Sequence, residues 1–254
     1  MSLLNMDLNG ILDGLVSLHP RESSPGPPPF VPTQLADLLM WQRADLGITI
    51  ETGVSSWLDQ SGNGNNLSQA NTLYQPGFNA SDATYNNHPV LLFTQTGETQ
   101  LSINPISPST AANVTVFFVG ETDHSVYQFF FEFVGANVIA FYYNGDNNFY
   151  ALAAAGEFPA TTSAGSTPSV FGTLFNGASS AIYLNAKTPL ATGNPGTAIG
   201  QTQGWLSGSG LAPNGSGFNG KMAEFIFYNR ALATSEINQV LAYIGTRYNI
   251  AIGS

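Results

Sequence analysis

The 254-residue sequence has no cysteine, so neither a disulfide nor a thiolate metal site can support its fold. Positive charge is almost as scarce. Six Lys plus Arg stand against sixteen Asp plus Glu, for a formal net charge of -10. That balance offers no basic footprint to a phosphate backbone or an anionic bilayer, so neither nucleic acid nor membrane is expected as a partner. The only histidines are His19, His88 and His124. With no Gly-x-Ser-x-Gly elbow beside them, a Ser-His-Asp nucleophile is not supported, and clusters with transition-metal spacing are missing too. No Lys or Arg precedes Arg21, and Asp7 and Asp13 interrupt the first apolar stretch. A conventional signal peptide and a membrane-inserted helix are therefore not expected.

What the chain does have is glycine (27), proline (15), a 43% apolar share and only 9% charged residues. This suits one folded domain with a neutral, Asn/Ser/Thr-rich surface. Met1, Leu4, Leu8, Ile11, Leu15 and Leu18 follow the spacing of an apolar helical seam, weakened by Gly10 and Gly14. Residues 1–19 are read as an anchoring arm, helical or extended, with Leu4, Leu8, Ile11, Leu15 and Leu18 as its docking residues. Residues 20–34 form a Pro-rich linker that excludes helix and central strand, and residues 35–254 the body.

Within the body, short apolar or alternating runs punctuated by Gly, Pro, Asn and Ser predict strands at 39–43, 54–58, 90–94, 114–120, 127–134, 138–143, 149–153, 169–175, 181–184 and 221–228. Period-two alternation puts Tyr127, Phe129, Phe131 and Phe133 on one core face. One helix is predicted near the end. Thr234 is its expected N-cap, and Ile237, Val240, Leu241 and Ile244 make the apolar stripe that would pack on the strands.

Two stretches are more specific. Trp57-Leu58-Asp59-Gln60-Ser61-Gly62-Asn63-Gly64-Asn65-Asn66 runs a strand end into a turn whose residues accept positive φ or bond nearby amides. Far along the chain comes Phe218-Asn219-Gly220-Lys221-Met222-Ala223-Glu224-Phe225-Ile226-Phe227-Tyr228-Asn229-Arg230-Ala231-Leu232. Together they resemble the laminin-G-like members of the concanavalin A-like jelly rolls, where such a box lies near the start and such a strand closes the domain. The resemblance extends over residues 38–250 and implies an all-β jelly-roll sandwich with a short C-terminal helix.

Three chemistries are conceivable on this frame. Glycoside hydrolysis by retention needs two carboxyl groups about 5–5.5 Å apart, and the nearest match is Glu121-Thr122-Asp123, which lacks the third acid of related glucanases. No catalytic residue is assigned. Calcium is the one candidate cofactor, because the resemblance implies a rim site in many relatives. Asp59, Asn63 and Asp146 are the candidate ligands, and Asn65 in the first loop, Asp82, and Asn147 and Asn148 beside Asp146 are further oxygen-bearing residues. Glycan binding needs exposed rings beside amides, and Trp205, Tyr142, Tyr150 and Tyr74 are the candidates, with Phe78 a further ring. Trp41 and Trp57 are expected in the core, and Trp205 fits either role.

The expected function is that of a non-enzymatic virion surface protein of a bacteriophage, a decoration, head-fibre or tail-associated component. Capsid or tail proteins would hold the arm, and a homo-oligomer would display the lectin-like domain for adhesion to host-surface glycans or for particle stabilisation. The alternatives are an extracellular carbohydrate-active enzyme or its carbohydrate-binding module, and a purely structural assembly protein.

Overall fold

The computed structural model describes residues 29–96, 98–124, 127–154, 156–162, 165–207 and 216–254. The proposed docking residues Leu4, Leu8, Ile11, Leu15 and Leu18 lie outside them. In chain order the strands begin with β1 (Leu38–Arg43), β2 (Ile48–Ile50), β3 (Val54–Trp57), β4 (Leu67–Ser68), β5 (Gly77–Asp82) and β6 (His88–Phe93). Then come β7 (Leu101–Ile103), β8 (Val114–Thr122), β9 (Gln128–Gly135), β10 (Val138–Tyr143), β11 (Asn148–Ala153) and β12 (Gly156–Thr161). The series ends with β13 (Ser169–Phe175), β14 (Ser180–Leu184), β15 (Ala191–Gly193), β16 (Gln201–Leu206), β17 (Gly220–Tyr228) and the helix α1 (Thr234–Tyr248).

These strands form two antiparallel sheets packed as a jelly-roll sandwich. The eight-stranded sheet runs β15, β14, β13, β8, β17, β6, β5, with β1 also paired to β17. The nine-stranded sheet runs β12, β11, β10, β9, β16, β7, β4, β3, β2. Between them lies a core rich in phenylalanine, including Phe93, Phe118, Phe131, Phe141, Phe171 and Phe225, with Trp57 fully enclosed. A second apolar layer forms on the far side of the eight-stranded sheet. There Ile237, Val240, Leu241 and Ile244 of α1 pack on Trp41, Phe117, Val119 and Ile226, as the helical stripe predicted.

Two local expectations are corrected. Phe141 pairs with Phe131 while the next residue, Tyr142, pairs with Phe129, so Phe130 is the extra residue of a bulge in β9. A bulge inverts the alternation. Phe130, Phe131 and Phe133 enter the core, whereas Phe129 joins Tyr142 in a separate cluster on the outer surface, and Tyr127 packs against both rings. The helix cap is also shifted: Ala233 occupies the N-cap and Thr234 is the first helical residue. Ala233 has no side-chain acceptor, so Glu236 reaches back to accept its N–H at 2.9 Å, held in turn by Arg230 at 2.7 and 2.9 Å.

Residues 29–34, read as the end of a spacer, sit on the body. The Phe30 ring meets Tyr243 edge-on at 6.1 Å, and the buried Tyr228 hydroxyl donates to the Pro32 carbonyl at 3.0 Å.

Candidate functional site

Both sequence motifs are spent on architecture. Asp59 Oδ1 accepts the N–H of Trp41 and of Ser61, each at 2.9 Å, and Oδ2 accepts the Ser61 hydroxyl at 2.7 Å and the Asn65 N–H at 3.0 Å. Asn63 donates its amide to the carbonyls of Leu38 (2.7 Å) and Leu39 (3.1 Å). The loop thus staples β3 to β1, and the carboxylate faces N–H and O–H donors rather than an oxygen-lined cation cage. Asp146 lies far from it, in the hairpin between β10 and β11, on the other side of β9, β16, β7 and β4. The three candidate calcium ligands therefore share no site. Among the described residues no group of three or more His, Asp or Glu converges on a metal-sized centre.

The two outer faces differ. That of the eight-stranded sheet is roofed by α1. That of the nine-stranded sheet carries aromatic rings instead. Direct cross-strand pairs share a face, so Ser56, Ser68, Ser102, Trp205, Glu132, Ala140, Leu152 and Glu157 form one outward row across β3, β4, β7, β16, β9, β10, β11 and β12. Beside it Phe129, Tyr142 and Tyr150 stack across β9, β10 and β11, with centroids 5.1 Å apart at each step, and Tyr127 closes on Tyr142 at 5.2 Å.

Tyr142 is the covered middle of this stack, only 4% exposed, which corrects its reading as an open platform ring. The accessible rings are Tyr127, 39% exposed, and the half-buried Tyr150. The Tyr142 hydroxyl donates to Glu157, and the Tyr150 hydroxyl to Asp146 at 2.9 Å. Burial, then the Glu157 hydrogen bond, pushes the Tyr142 phenol far up. Tyr150 is raised chiefly by its bond to Asp146, and Tyr127 by burial and then by the charges of Glu157 and Glu132. All three hydroxyls therefore stay protonated donors at neutral pH. Hydrogen bonding from Asn148, with that from Tyr150, holds the Asp146 carboxyl below its usual value.

Trp205 is half-buried and points outward, opposite Ser102 on one side and Glu132 on the other. Tyr74 stands apart, in a short turn whose carbonyl accepts from Gln100 ahead of β7, and Phe78 packs against the inter-sheet core. Tyr127, Phe129 and Glu157 were missed as site residues. Glu157 was legible in principle, since Phe158 and Ala160 are buried between exposed Glu157, Pro159 and Thr161. Pro159 has no N–H for a strand ladder, but β12 is an edge, where proline is tolerated.

Glu121 and Asp123 sit elsewhere, at a cleft they share with Leu92, Asn219 and Lys221. Lys221 pairs with Glu121 at 2.8 Å and with Asp82 at 3.0 Å. Asp123 accepts from the side-chain amides of Gln128 (2.7 Å) and Asn219 (2.6 Å).

No family model matches the chain, and no curated protein matches it. Solved structures do. A sialidase of Trypanosoma rangeli in complex with sialic acid aligns with a TM-score of 0.56 at 15% identity, over 86% of this chain and 35% of the sialidase. The binding domain of Paraclostridial Mosquitocidal Protein 1 gives 0.58 at 11% identity, over 81% of this chain and 52% of that one. Domain 4 of AbnA, a GH43 extracellular arabinanase from Geobacillus stearothermophilus, in complex with arabinotriose, gives 0.57 at 13% identity, over 81% and 98%. The chain spans about a third of the sialidase and about half of the toxin domain. Likeness at these identities establishes the shared β-sandwich.

Proposed function

We propose that the protein is a non-enzymatic, lectin-like module that binds glycans on the outer face of its nine-stranded sheet. The observation that carries this is the stack of Tyr127, Phe129, Tyr142 and Tyr150 on the sheet face away from α1, with Tyr127 and Tyr150 its accessible rings. Sugar C–H faces pack on rings, and sugar hydroxyls pair with acceptors such as Glu157 and Asp146. Support in kind comes from the arabinotriose complex among the structural neighbours. In this reading the module is displayed outward in several copies, on a virion whose capsid or tail proteins hold residues 1–19, so that weak sites gain avidity.

The test is a glycan array followed by titration of the hits. Tyr150→Ala and Tyr127→Ala are each expected to weaken binding by roughly tenfold with the circular dichroism spectrum unchanged. Binding unaffected by both substitutions would remove this face from consideration.

A further inference from the structure

Resting on that reading, we infer that the ligand is a linear oligosaccharide free of carboxylate, sulfate and phosphate groups, and that the face turns acidic glycans away. Between Arg43 and Lys187 the sequence holds neither Lys nor Arg, and none of the nine strands of the ring-bearing sheet contains one. The described cations all belong to the opposite layer or its connections. Arg43 pairs with Asp45 at 2.7 Å, Lys221 with Glu121 and Asp82, Arg230 with Glu236, and Arg247 with Asp45 at 2.6 Å. Lys187 follows β14, its backbone N–H bonded to Gly253.

Recognition of a carboxylate or sulfate rests on guanidinium or ammonium donors, and this face has none to give. It presents anions instead: Glu157 and Asp146 are exposed at the rim of the stack, and their Tyr partners already donate to them. Their remaining lone pairs suit hydroxyl donors of an uncharged sugar. An acidic sugar would set like charge against Glu157 with no counter-ion, inside the field of a chain of net charge -10. Linearity follows from the row of Ser56, Ser68, Ser102 and Trp205, which offers one accessible polar or aromatic side chain per strand, about 4.8 Å apart.

The experiment uses the full chain, titrated by calorimetry with arabinotriose, cellotetraose and N-acetylchitotriose as neutral probes and with sialyllactose and trigalacturonate as acidic ones, at low and high salt. At least one neutral probe should bind, and both acidic probes should bind about tenfold or more weakly at low salt, the gap narrowing as salt screens the repulsion. Adding a cation to the rim with Pro159→Lys, opposite Tyr150, should raise the affinity for trigalacturonate several-fold. An acidic probe that binds as tightly as the neutral ones in the unaltered chain, but is still lost with Tyr150→Ala, overturns the inference and leaves the ring platform standing. No binding of any probe overturns the platform and the inference together.

Discussion

Glu224 is a fully enclosed carboxylate, and its neighbours show what the closing motif does. Oε1 accepts from the Trp41 indole at 2.6 Å and the Tyr243 hydroxyl at 3.0 Å, Oε2 from the Tyr248 hydroxyl at 2.9 Å, and Arg247 stands 3.6 Å away. One side chain thus ties β1, β17 and α1 together. Burial raises its carboxyl above the usual range, against the hydrogen bonds from Trp41 and Tyr248 and the charge of Arg247. A raised folded-state value means that this group's contribution is complete below the unfolded carboxylate value and is lost as pH rises through the raised one. Glu224→Ala would strand two buried donors, Trp41 and Tyr248, and the half-buried Tyr243 hydroxyl, and is expected to cost about 3–5 kcal/mol by chemical denaturation. Glu224→Gln keeps an acceptor and loses the charge. It should be milder, about 1 kcal/mol, and its melting temperature should fall less than that of the wild type as pH rises above the ordinary carboxylate range.

Elements extend the same reasoning to capping and register. Arg230 and the Ala233 N–H hold the Glu236 carboxyl down at about 2, so its support of the α1 terminus is present above the ordinary carboxylate range and lost as pH falls towards 2. Glu236→Ala is expected to lower stability by about 1 kcal/mol at neutral pH, a difference that acid titration of both proteins should erase. Gly204 of β16 faces the core directly beneath Phe133, where a Cβ would fall 2.0 Å from the ring. Gly204→Ala should therefore push Phe133 off the inner face and cost about 2 kcal/mol or more, read from denaturant midpoints. The longer strands were legible in the sequence because their apolar runs or alternation exceed any turn signal. β2, β4, β5, β7, β12, β15 and β16 were not. They span two to six residues, rich in Ser, Thr, Asn, Gly or Gln; β2, β5, β12 and β15 are short hairpin partners at sheet edges, and β4, β7 and β16 gain pairing from strands distant in sequence. The outward turn of Phe129 was hidden too, since a bulge depends on the partner strand and leaves no mark in the alternation of its own.

At the scale of the molecule, the chain divides its labour between two sheets: one is roofed by α1 and holds the ion pairs, the other carries the aromatic stack with Tyr127 and Tyr150 accessible at its edge. Tyr142 and Tyr150 could be named from sequence because aromatic residues near Asn and Gly attract attention in any glycan-binding search. Their assembly with Tyr127, Phe129 and Glu157 could not, because it depends on the register of four strands. The Asp59 loop misled for the opposite reason: local Asx chemistry looks alike whether the oxygens meet a cation or an amide. β17 bears on how such a chain is made. It alone joins β8 on one side to β1 and β6 on the other, although β1 precedes it by most of the polypeptide. On a ribosome, the earliest strand of this sheet waits without a neighbour until nearly the last segment emerges. A nascent chain halted at Asn219 would therefore expose three unmatched strand edges, and it should appear in the insoluble fraction or bound to chaperones where the full chain is soluble.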